Sequence, residues 1–90
     1  MVQHSKQIYR SENGSQWIFA GESSLGSLKF YVNGDLLVKG ENAYSINDKQ
    51  YQYANRKVKF QCTIHPGLTA GHVECDAFVD GEYAANLYFR

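Results

Sequence analysis

The sequence predicts an all-β fold: a single small antiparallel β-sandwich or barrel of about seven to nine short strands. Three observations predict it. Apolar residues alternate with polar ones over much of the chain, which is the period of a half-buried strand. The aromatics are seven Tyr, five Phe and one Trp, types that favour strands. Asn-Gly and Asp-Gly pairs interrupt the alternation, as hairpin turns do. No window carries apolar residues at helical spacing between a cap and a stop.

Residues 57–64 give the clearest strand. Val58, Phe60, Cys62 and Ile64 point one way, and Lys57, Lys59, Gln61 and Thr63 the other. Val73, Cys75, Ala77 and Val79 form the inward face of the next strand. Folding the two into a hairpin with Cys62 opposite Cys75 sets Phe60 against Ala77, Val58 against Val79 and Ile64 against Val73. Every inward residue then meets an inward residue, and a one-residue slip would invert a strand. Asp80-Gly81 turns the chain into the last strand. A three-residue loop, Asp80-Gly81-Glu82 with Gly81 left-handed, puts Tyr83, Ala85, Leu87 and Phe89 inside. The same reasoning sets Leu28, Phe30 and Val32 inward before Asn33-Gly34-Asp35, with Leu36 and Val38 inward after it. Lys29, Tyr31, Leu37 and Lys39 then face out. One turn used twice fits either shared hairpin chemistry or a remnant of duplication. Residues 6–10 and 15–20 are expected as strands, with Trp17 and Phe19 on one face. Residues 44–46 and 50–53 are expected as short strands around 47–49, and 21–26 as a Ser/Gly loop.

Ninety residues make one domain, spanning 1–90, that buries only about 60% of its unfolded surface. Formal net charge is zero. No basic stripe serves a nucleic-acid backbone, and no Lys/Arg cluster serves an anionic membrane, so neither partner is expected. No apolar run approaches a membrane span or a signal-peptide core, and the chain reads as soluble.

Cys62-x-x-His65 and His72-x-x-Cys75 are zinc-type ligands, symmetric about residues 66–70. The hairpin register argues against a shared ion, because it turns the cysteines inward and the histidines outward. Cys62 and Cys75 are therefore either two buried thiols or a cross-strand disulfide, and His65 and His72 end their strands in a solvated loop. No catalytic residue, metal or cofactor is assigned, and no nucleophile elbow or phosphate loop occurs. The outward aromatics carry the binding expectation: Tyr31 and Leu37, flanked by Lys29 and Lys39, and Phe78 on another strand.

Tyr9-Arg10-Ser11-Glu12-Asn13-Gly14 resembles the opening of the periplasmic C-type lysozyme inhibitors over six residues. Ser11 stands where that family has a cysteine, and its Ser-Gly-x-x-Tyr inhibitory loop has no counterpart, so the chain is not assigned to it. The functional expectation is a non-enzymatic module, a small secreted effector or inhibitor acting by binding a protein partner. The alternative is a small-ligand or carbohydrate binder with a pocket at Trp17. A final strand left at a sheet edge would also permit a homodimer by edge pairing.

Overall fold

The computed structural model describes residues 2–68 and 71–90. Among them, eight strands and one short helix follow in chain order: β1 (Gln3–Arg10), β2 (Gln16–Ser24), β3 (Ser27–Val32), β4 (Asp35–Glu41), α1 (Ala43–Asn47), β5 (Tyr51–Tyr53), β6 (Arg56–His65), β7 (His72–Val79) and β8 (Glu82–Phe89). They make two four-stranded antiparallel sheets, β1-β2-β3-β4 and β5-β6-β7-β8, in a sandwich-like arrangement. Each sheet is a simple meander, so every strand pair is closed by a local connection.

The core lies between the sheets. Phe19 and Phe30 from the first meet Phe60 and Phe89 from the second, and all four are essentially inaccessible to solvent. Phe30 and Phe60 stack with centroids 4.5 Å apart, and Phe19 meets Phe60 edge-on at 6.3 Å. The inward alternation that fixed the β6–β7 register is reproduced position by position, from Val58 opposite Val79 to Ile64 opposite Val73. Ile64 itself is 43% exposed, although Val73 opposite it packs against the core.

Both glycine hairpins differ from expectation in the same way. Val32 pairs with Asp35 and Val79 with Glu82, so each loop has two residues rather than three. Asn33 and Gly34 both take positive φ, as do Asp80 and Gly81. Left-handed conformation at both positions defines the type I′ turn, whose twist matches that of the flanking strands. The residue that a two-residue loop would turn to the wrong face is absorbed three positions later by a β-bulge. The ladder shifts between Phe30 and Tyr31, and again between Ala77 and Phe78, leaving Leu37 and Ala84 as the extra residues. Val38, Ala85, Leu87 and Phe89 therefore face inward as expected. Leu36 and Tyr83 face out instead, and Leu37 packs against the core. The two turns also dock alike on the preceding strand. Asn33 donates its N–H to Ile18 O, and its Oδ1 accepts from Ile18 N. Asp80 makes the same two bonds with Lys57.

Two further segments depart from the sequence reading. Residues 44–46 belong to helix α1 rather than a strand, because the Asn42 side chain caps it by accepting from Ser45 N at 2.8 Å. Ala43 and Ile46, three apart, bury the helix against the core. Residues 21–24 continue β2 instead of looping, and only Leu25-Gly26 turns.

The two sheets are closed on both sides. α1 fills the gap between β4 and β6. There Asn47 acts as a substitute strand for β6: its Nδ2 donates to Cys62 O at 2.9 Å and its Oδ1 accepts from Cys62 N at 2.6 Å. On the opposite side β8 is the last strand of its sheet, but its outer edge is occupied. Asn86 N donates to Gln7 Oε1 at 2.6 Å and Tyr88 N to Ser5 Oγ at 3.1 Å. The edge that motivated a homodimer is thus engaged within the chain at these two positions. No helix among the described residues is long and apolar enough to cross a membrane.

Candidate binding face

Inward Trp17, Phe19 and Gly21 oblige Ile18, Ala20 and Glu22 to face away from the core. Pairing then aligns their neighbours. Ile18 opposes Ile8 of β1, and Ala20 lies between Lys6 of β1 and Tyr31 of β3. Tyr31 in turn opposes Leu36 of β4. The outer face of the β1–β4 sheet thus carries a band of Ile8, Ile18, Ala20, Tyr31 and Leu36. Ile8 is 60% exposed and Leu36 43%, so the band meets solvent rather than another part of the chain.

Tyr31 is the anchored member. Its hydroxyl donates to Glu22 Oε1 at 2.6 Å, and this bond to a carboxylate raises the phenol above its ordinary pKa. His4 Nδ1 lies 3.8 Å from the other carboxylate oxygen. A shallow groove of about 350 Å³ runs beside the ring, lined among others by His4, Lys6, Ala20, Glu22 and Tyr31. One row further on, Lys29 directly opposes Lys39. Like charges opposite one another destabilise a sheet, so this pair costs the fold something while concentrating positive charge beside the band.

The expected site is therefore brought together in part. Tyr31, Lys29 and Lys39 share the face. Leu37 does not, because the bulge turns it toward the core, and Leu36 takes its place beside Tyr31. Phe78 is half-buried on the outer side of the other sheet, where it meets Tyr83 edge-on at 6.2 Å. Ile8, Ile18 and Leu36 are additions that the alternation alone did not supply. Ile18 could have been found, since inward Trp17 and Phe19 force it outward. Trp17, on which the alternative reading centres, is buried and packs against Phe19, Tyr9 and Tyr53, the last nearly perpendicular to it at 5.3 Å.

Cys62 and Cys75 are joined by a disulfide. The Asp80 N–H to Lys57 O bond identifies a hydrogen-bonded pair, so five residues along Cys62–Cys75 falls at a non-hydrogen-bonded position, where strands approach most closely. Closing this loop stabilises the fold by about 3 kcal/mol on the chain-entropy account. His65 and His72 are directly opposed on the outer side, as the register required. Their rings stack with centroids 4.3 Å apart. Of the loop between them, Thr69 and Ala70 lie outside the described residues.

Comparison with known proteins finds no matching family, no matching curated protein and no matching solved structure.

Proposed function

We propose that this chain is a non-enzymatic interaction module that binds a protein partner through the outer face of the β1–β4 sheet. The observation that supports it is the solvent-facing band of Ile8, Ile18, Ala20, Tyr31 and Leu36 on a sheet whose other face is already core. A contiguous apolar patch rimmed by polar residues is the usual mark of an interaction surface. A rigid sheet also presents Tyr31 at little entropic cost. Lys6, Arg10, Lys29 and Lys39 border the band, and Glu22 is already engaged by Tyr31. That balance suits a partner with an apolar centre and an acidic rim. The disulfide fits a small secreted effector or inhibitor, since such bridges persist in oxidising compartments.

The test is a crosslinking capture from the source's extracellular fraction and from candidate targets. It compares wild type with the double variant Ile8→Asp, Leu36→Asp and with a control, Gln52→Asp, on the other sheet. Both apolar positions are exposed, so circular dichroism and thermal melting should remain near wild type. The reading requires a partner that wild type and the control retain, that the double variant loses, and that high salt weakens. Equal capture by all three would refute it. A small ligand in the groove beside Tyr31 is the second reading, favoured by that concavity alone. Chemical-shift changes confined to His4, Lys6 and Tyr31 on adding sugar panels would favour it over a protein partner.

A further inference from the structure

We propose that the outer end of the β6–β7 hairpin is a binding site for a borderline divalent transition metal, with zinc as the type ion, held by His65, His72 and Glu74. The site lies on the sheet opposite the candidate binding face and does not depend on that reading. Three observations carry it. First, among the described residues His65, His72 and Glu74 each offer a ligand atom within 4.8 Å of the others. Second, the donors are of the right kind. Two imidazoles and a carboxylate suit zinc, copper or nickel, whereas magnesium and calcium require oxygen ligands. His72 Nε2 and Glu74 Oε1 lie 3.2 Å apart. Two atoms at that separation subtend an angle near tetrahedral or square at an ion about 2.1 Å from each.

Third, the donors are held from behind, as metal ligands commonly are. Glu74 Oε2 accepts from Asn86 Nδ2 at 3.4 Å, and the same amide donates to Asp76 Oδ1 at 2.9 Å. The far face of the His72 ring rests on Tyr88, with centroids 4.8 Å apart. The Cys62–Cys75 disulfide locks the strand register three positions away, which keeps His65 opposite His72. His72 and Glu74 are thus placed in advance. His65 lies stacked on His72 and is exposed, so it needs only to rotate its ring until its nitrogen meets an ion at the other two ligands. Three protein donors leave the remaining coordination to water or to a side chain from outside. Cys62 and Cys75 take no part in this donor set, since both are buried and joined to one another.

The probe is zinc chloride titrated calorimetrically into the oxidised chain at neutral pH, with magnesium chloride as the hard-ion control. Histidine resonances are followed in parallel by NMR. The proposal expects saturable binding of about one zinc per chain, no response to magnesium, and shifts at His65 and His72 but not at His4. His65→Ala and His72→Ala should each abolish saturation, and Glu74→Gln should weaken it about tenfold or more. These side chains are at the surface, so melting curves should confirm that the variants remain folded. Absence of saturable binding in wild type overturns the proposal. So does binding unchanged in the histidine variants, or half an equivalent of zinc bridging two chains.

Discussion

Gly21 lies in the middle of β2, where glycine ordinarily weakens a strand. Its value here is the space it leaves. A Cβ at this position would fall 2.6 Å from Phe89 Cζ and 2.8 Å from Phe30 Cδ1, both rings being fully buried. Gly21→Ala should therefore cost about 1–3 kcal/mol, read as a lower denaturation midpoint with an unchanged slope. A neutral effect would mean that the two rings can move aside. Tyr51 acts through protonation. Burial first, and then its hydrogen bond to Glu41, push its phenol up to about 12. A raised pKa in the folded state favours the protonated form there. Stability from this group is whole below the unfolded value near 10 and is lost as pH rises from about 10 to 12. Tyr31 and Tyr53 are shifted the same way by their bonds to Glu22 and Asp35, so they share in the loss. Tyr51→Phe should make the alkaline limb of a stability–pH profile shallower, with ionisation followed at 295 nm. An unaltered limb would show that Tyr51 does not carry it.

α1 contributes more through one side chain than through its five-residue length. Asn47 gives Cys62 both bonds that a neighbouring strand would have given. Asn47→Ala would leave that N–H and C=O short of partners and should cost about 1–3 kcal/mol in a melting experiment. Asn47→Asp keeps the acceptor but sets a carboxylate oxygen against Cys62 O, so its loss should be at least as large. No local pattern announces a pairing between residues fifteen apart, and the same Asn reads equally well as a turn former. The β6–β7 register, by contrast, was legible, because the alignment with Cys62 opposite Cys75 matched every inward residue and a one-residue slip matched none. The glycine hairpins show where this logic fails. A three-residue loop, and a two-residue loop followed by a bulge, bury the same Val38, Ala85, Leu87 and Phe89. The two solutions differ only at Leu36 and Leu37, and at Tyr83 and Ala84. Twist decides between them, and twist leaves no trace in a polar–apolar alternation. The candidate face inherits the same limit. Tyr31, Lys29 and Lys39 followed from parity, whereas the partner of Tyr31 depended on the bulge.

At the scale of the whole molecule, the two meanders are each continuous ladders, but they are joined to one another by different means. α1 and its Asn47 close one side. Gln7 and Ser5 of β1 close the other by accepting from Asn86 and Tyr88 of β8. This difference was beyond the sequence, since it rests on side chains nearly the whole chain apart. Its consequence is one of timing. A backbone ladder opens only when many bonds break together, whereas a contact made by two flexible side chains can break and reform alone. Native-state hydrogen exchange should therefore rank the amides of β8 in alternation. Those of Asn86 and Tyr88 should exchange through frequent small openings. That of Leu87, which faces Cys75 across the β7–β8 ladder, should wait for far rarer events. Gln7→Ala should accelerate Asn86, and Ser5→Ala should accelerate Tyr88, with Leu87 unmoved. Uniform protection along β8 would contradict this order. If the alternation holds, the molecule breathes along one line, and each breath briefly bares a strand edge that is otherwise kept from other chains.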